Sequence, residues 1–238
     1  MLLHMRAVLL AALAFSAPLG AQASTSARGA PPAFELVETS LTELEFALRV
    51  GRVTSEELVL GYQARIAAYD EAGPELNGIL ALNAAALDEA RARDAERRAG
   101  RVRGPLHGIP LLVKDNIDVA GLPTTAGALA LAASFPPDDA HLVRRLRAGG
   151  AVILGKTTLT EFANFLTNGM PSGYHSLSGF GFNPYDPRPA PSGDGRPVLT
   201  PGGSSSGTGI AIAASLAAAG VGTETSGSIL SPASSNGL

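Results

Sequence analysis

The sequence predicts an α/β fold in which helices pack in layers against a mostly buried sheet. Three observations carry that expectation. Short, wholly apolar runs that read as strands alternate with longer runs of helical periodicity. Several of the helical runs open with their own start signals. With 238 residues, 45% of them hydrophobic and 16% charged, the chain can bury a sizeable core.

In chain order, Ser40 precedes an apolar-periodic run (Leu41, Leu44, Phe46, Ala47, Val50) that predicts a first helix. Thr54 with Glu57 three residues later forms a capping box for a second helix running to about Ala68. Residues 78–82 (GILAL) are strand-like, and 84–98 predict a helix with a charged outer face. Residues 109–113 predict a buried strand, 139–148 a helix and 151–154 another strand. Residues 207–219 predict an apolar helix, and 220–222 lead into a turn. Between 171 and 203 lies a long stretch of Gly, Pro, Ser and Asp, the kind of loop that often lies at an active site. The chain stops at Leu238 after a Ser/Gly/Pro-rich turn with no closing helix or strand expected, so it is read as partial, its sheet left with an open edge.

Composition removes several function classes. A net charge of -3 without a basic stripe argues against nucleic-acid binding. There is no cysteine, hence no disulfide frame and no thiolate metal site. The four histidines are scattered without ligand spacing, so neither a metal nor an organic cofactor is indicated. The only lysines are Lys114 and Lys156, in a chain that otherwise uses arginine. Lysine is required where an amine must lose its proton, because guanidinium stays charged.

Residues 1–23 have the layout of a secretory signal: a basic start at Arg6, an apolar stretch over 7–20 broken by Pro18, and Ala21-Gln22-Ala23 as a cleavage site. The apolar run is too short for a membrane span of about 20 residues. Residues 24–33 read as a flexible leader. The mature protein is therefore expected in the periplasm or outside the cell, without stable membrane insertion, and 34–238 as part of a single domain.

Two motifs mislead. Residues 150–157 (GAVILGKT) satisfy a phosphate-loop pattern, but such a loop must expose backbone N–H groups, and here the central residues are a buried strand. The expectation for Lys156 is a strand-end cap or a local ion pair. Residues 203–207 (GSSSG) match a nucleophile elbow centred on Ser205, which needs an acid and then a histidine later in the chain. The last histidine is His175, so this esterase reading is the runner-up.

Three further segments belong together: 108–116 (GIPLLVKDN), 202–207 (GGSSSG) and 222–232 (GTETSGSILSP). In this order they closely resemble the amidase signature family, with further likeness in 151–165 and in Asn183-Pro184-Tyr185. The resemblance runs from about Leu41 to the end and covers the family's N-terminal half. It implies that family's layered fold, a mixed sheet flanked by helices and truncated on its C-terminal side. It also implies a triad of Lys114, Ser204 in a cis peptide, and Ser228 as nucleophile. The backbone N–H groups of Thr225, Ser226 and Gly227, with that of Ser228, would form the oxyanion hole, where each preorganised donor is worth roughly 10²–10³ in rate. The residues themselves agree with this reading. Ser228 follows Gly227 in a tight turn, and the apolar run before Lys114 predicts burial, which favours a neutral amine.

The last motif departs from the commonest family form at three places. Glu224 stands for Asp, Ser226 for Gly and Leu230 for Arg. The Glu form resembles a subgroup acting on peptide C-terminal amides, and a side chain at Ser226 must fit where glycine usually sits. The segment 186–201 looks longer than the family's. The expected activity is hydrolysis of a small or peptide amide through an acyl-enzyme. The competing readings are an inactive truncated relative and a component of an amidotransferase for charged tRNA, which would be cytosolic and partnered.

Overall fold

The structure is a computed structural model, and it describes residues 34–238; the predicted signal and leader lie outside the described residues. Two capping boxes start the chain's order. Ser40 with Glu43 opens α1 (Leu41–Arg49), and Thr54 with Glu57 opens α2 (Ser55–Tyr69). The N-terminus of α2 is further held by Asp94, whose carboxylate accepts from the N–H groups of Ser55 and Glu56. Asp94 comes from α3 (Ala86–Arg98), so one carboxylate satisfies orphan donors and fixes how two helices meet.

Among the described residues the main sheet has four strands, β1 (Ile79–Leu82), β2 (Pro110–Lys114), β3 (Val152–Thr157) and β6 (Ala219–Val221), in the order β1-β3-β2-β6. β2 is parallel to both β3 and β6, while β1 is antiparallel to β3, so the sheet is mixed. β2 and β3 are buried along their whole length, as their apolar runs require, and this burial includes Lys114, Lys156 and Thr157. One face carries Leu112, Val152 and Leu154 into a core with α1, α2, α3 and α5 (Ser206–Ala213). The other carries Val113 and Ile153 against Val143 of α4 (His141–Ala148).

A bulge interrupts the β2–β3 ladder. Leu111 pairs with Ile153 and Leu112 with Gly155, which leaves Leu154 without a partner in β2. The extra residue reverses the alternation of β3 beyond it. Lys156 consequently lies opposite Val113 and Thr157 opposite Lys114.

The structure corrects three expectations. The helix predicted over 207–219 ends at Ala213, because Arg65 of α2 donates to the carbonyls of Ala214 and Ser215, and Ser215 turns the chain at φ 52. Leu216 and Ala217 then enter the core, and 219–221 form β6 rather than the end of a helix and a turn. The loop at 171–203 contains a two-stranded hairpin, β4 (Tyr174–His175) with β5 (Gly179–Phe180), and a bridge between Pro189 and Pro197. Last, the Ser/Pro-rich terminus forms a helix, α6 (Leu230–Ser235). Pro232 sits in its first turn, where a missing N–H costs no helical bond.

Candidate active site

The chemistry-bearing residues collect at the C-terminal ends of the parallel strands, the usual place for a site in such a sheet. Lys114 is the last residue of β2, Ser204 and Ser205 lead into α5, and Thr223 follows β6 by two residues. Lys114 is fully buried. Its Nζ lies 2.8 Å from Ser204 Oγ and 2.8 Å from Thr223 Oγ1. Burial drives its pKa down from 10.5 to about 8, with the charge of Glu224 opposing. Among the described residues it forms no ion pair with a carboxylate.

Lys156 makes the contrast. It is equally buried, but its Nζ stands 2.9 Å from Asp115 Oδ1 and donates to Pro123 O and Thr124 Oγ1. Asp115 Oδ2 accepts from the N–H and the hydroxyl of Thr125. Asp115 Oδ1 makes no well-aligned hydrogen bond, so its tie to Lys156 is chiefly electrostatic. This pair fulfils the local ion pair expected of Lys156, and β3 is a buried strand with no exposed phosphate loop. The bulge sends the two lysines to opposite faces, one to a carboxylate and the other to hydroxyls.

Ser204 is buried, and the Gly203–Ser204 peptide is cis, as the family resemblance implies. Ser204 O accepts from the N–H of Thr160, which ties the segment to the end of β3. Ser205 is buried too; its hydroxyl donates to Thr223 O and accepts from Thr223 N–H. No strand leads into Ser205, so the strand–turn–helix context of a nucleophile elbow is missing among the described residues.

Ser228 is half-buried and follows Gly227, whose φ of 98 is glycine territory. Its carbonyl accepts from Ser205 N–H at 3.0 Å, which places its turn against the start of α5. Its hydroxyl makes no hydrogen bond among the described residues, so the structure joins Lys114 to Ser204 but leaves Ser204 and Ser228 unconnected. Glu224 organises this turn. Its carboxylate accepts from the N–H groups of Gly227, Ser228 (3.1 Å), Ile229 (2.6 Å) and Leu230 (3.1 Å), which hold its pKa down. Of the four N–H groups proposed for the oxyanion hole, those of Gly227 and Ser228 are therefore spent on Glu224. Those of Thr225 and Ser226 are unengaged among the described residues.

Sequence reasoning named Lys114 and the serines but missed what surrounds the lysine. Asn116 Nδ2 donates to Thr223 Oγ1 at 3.0 Å, the same oxygen that faces Lys114. Both residues lie inside the quoted motifs, and their contact spans 107 positions, so no local pattern could have paired them. An apolar groove of about 340 Å³ lies beside the serine turns, lined in part by Ser205, Gly222, Ile229 and Pro232. Neither Lys114, Ser204 nor Ser228 lines it, so it is a neighbour of the site and not the site itself.

The family model described as Amidase matches residues 57–238. The chain belongs to the amidase family. Among solved structures it is similar to native peptide amidase from Stenotrophomonas maltophilia, with 50% identity and a TM-score of 0.77, over 84% of this chain and 39% of that one. An amidase family protein from Bacillus anthracis is 38% identical with a TM-score of 0.76, over 84% of this chain and 38% of that one. Mandelamide hydrolase of Pseudomonas putida is 39% identical over 85% of this chain and 37% of its own length. The chain thus spans under two-fifths of the length of these relatives, and the mixed α/β architecture is shared with amidase-family structures.

Proposed function

We propose that this amidase-family chain carries the nucleophile and base of a hydrolase that cleaves carbon–nitrogen amide bonds through an acyl-enzyme. One observation carries the reading: among the described residues, Lys114 is buried without a carboxylate partner and bonded only to hydroxyls. With its pKa brought down to about 8 by burial, about a tenth of this lysine is neutral at about pH 7, far more than of an ordinary lysine, and a neutral amine is what a general base requires. The site needs such a base, because none of the described histidines hydrogen-bonds to either serine of the proposed triad.

In the proposed cycle the Ser228 hydroxyl oxygen attacks the amide carbon. Its proton passes to Ser204, whose own proton passes to Lys114. The negative oxygen of the tetrahedral intermediate is met by the N–H groups of Thr225 and Ser226, with those of Gly227 and Ser228 joining when their bonds to Glu224 yield. Collapse expels the amine, which takes the proton back through Ser204. Water, activated by the same relay, releases the acid and frees Ser228. We assign a peptide amide or another small amide as substrate, supported by Glu224 and by the 50% identity to a peptide amidase. Export to the periplasm or beyond, directed by residues 1–23, belongs to the same proposal.

The test is covalent labelling of the full chain with a fluorophosphonate, mapped by peptide mass, beside ammonia release from a peptide C-terminal amide. Adduct on Ser228, lost in Ser228→Ala and Lys114→Ala, is the expected result. Adduct on Ser205, or no adduct on a chain folded by circular dichroism, overturns the assignment.

A further inference from the structure

The lysine amine needs direction as well as neutrality, and the structure contains a device for that. A neutral amine offers two N–H groups and one lone pair, and it turns freely about its bond to Cε unless something fixes it. Among the described residues, Lys114 Nζ has two hydrogen-bonding partners, Ser204 Oγ and Thr223 Oγ1, each at 2.8 Å. Ser204 is the partner whose proton the amine must take. Thr223 is held in turn: Asn116 Nδ2 donates to its hydroxyl oxygen at 3.0 Å, and its backbone N–H and carbonyl both meet the Ser205 hydroxyl at 3.3 Å. A side chain anchored at both backbone and hydroxyl makes a fixed reference for the lysine.

We propose that Thr223, braced by Asn116, is a positioning residue that aims the Lys114 amine at Ser204. It also accepts one N–H of the ammonium formed when Lys114 takes the Ser204 proton. This rests on the relay described under Proposed function, and Thr223 touches neither substrate nor nucleophile in it. The protons balance: Ser228 gives one to Ser204, Ser204 gives one to Lys114, and the amine becomes an ammonium with three N–H groups. Two of these have acceptors, Ser204 and Thr223. Without Thr223, a buried ammonium would hold only one, and a buried donor without a partner is costly. Among the described residues, two carboxylates bear on the amine's surroundings. Glu224 acts on it from the nucleophile turn, and Asp115, next along β2, is turned to the other face and engaged by Lys156.

The experiment uses the full chain and the variants Thr223→Val, Thr223→Ser, Asn116→Ala and the double Thr223→Val/Asn116→Ala. Labelling of Ser228 by the fluorophosphonate is followed against pH. The chain has two lysines, so ¹³C-lysine gives two signals, assigned with Lys156→Met, and the Lys114 titration is read directly by NMR. In Thr223→Val the plateau labelling rate should fall about 10- to 100-fold, the scale at which a misaimed group is felt. The Lys114 titration should move to lower pH, since its ammonium has lost an acceptor. Thr223→Ser should restore both. The double variant should be no slower than Thr223→Val, because Asn116 acts through Thr223. A wild-type rate and an unmoved titration in Thr223→Val overturn the proposal. If the wild-type chain is not labelled at all, the relay reading fails. The Thr223 contact is then judged on the NMR titration alone, supported by an acid shift in Thr223→Val and overturned by none.

Discussion

Titrating the site tests the central role given to Lys114. With a pKa of about 8, close to a tenth of the lysine is neutral at about pH 7 and nine-tenths at about pH 9. Labelling of Ser228 should rise about tenfold over that interval and then level off. An ordinary lysine, at about 10.5, would give a rise of about 100-fold over the same two units and keep climbing. The shape of the curve therefore separates the two cases without any absolute rate. The same depression has a stability side. The folded pKa lies below the unfolded 10.5, so between about 8 and 10.5 the unfolded chain binds more protons and stability rises with pH. Below that window the full penalty of burying the amine is present, about 3 kcal/mol from 2.5 units at 1.36 kcal/mol each. Lys114→Met should accordingly abolish labelling yet unfold at higher urea than the wild type near neutral pH, with the gap closing towards about pH 10.5. A labelling profile that climbs without an inflection near 8, or an inflection that survives in Lys114→Met, would refute the reasoning.

Other perturbations follow from the same geometry. Lys156→Met leaves Asp115 buried without its cation and should cost about 3–5 kcal/mol by urea denaturation, with Lys156→Met/Asp115→Asn regaining most of it; a loss under about 1 kcal/mol would contradict the pairing. Glu224→Gln should move the labelling inflection to lower pH, because the charge that raises the Lys114 pKa is gone, and should slow the plateau as the nucleophile turn loses its anchor. An alkaline shift would count against that account. Gly207→Ala would gain about 1 kcal/mol of helix propensity in isolation. Here, though, its Cβ would fall on Thr158 Oγ1 and on the Gly78 carbonyl, so thermal melting should show net destabilisation of about 1–3 kcal/mol. A raised melting temperature would mean that α5 can move away from β1 and β3.

How far the sequence could be read depended on whether a signal was local. Both capping boxes span four residues, and each opens its helix where Ser40 and Thr54 predict. The strands β2 and β3 follow from apolar runs that only a covered sheet can hold, with ends displaced by one to three residues. The apolar stretch 207–219 failed for the converse reason. Leu216, Ala217 and Ala219 suit a buried helix and a buried strand equally well. Arg65, about 150 positions away in sequence, decides between them by capping the carbonyls where α5 ends. The helix α6 was missed because serines and a proline read as a turn unless their place after the nucleophile loop is known.

The sequence by itself determined the layered α/β class through its apolar runs, and the resemblance of three of its segments to the amidase signature family implied the membership that the family model shows. Only the tertiary structure decided by what geometry the two lysines reach different partners. Uninterrupted alternation from Leu154 would have put Lys156 on the same face as that leucine. One unpaired residue in β3 reverses the alternation, sends Lys156 to Asp115 across the sheet, and leaves Lys114 with Ser204 and Thr223. A bulge is a property of two strands in register, and the residues of neither strand record it alone.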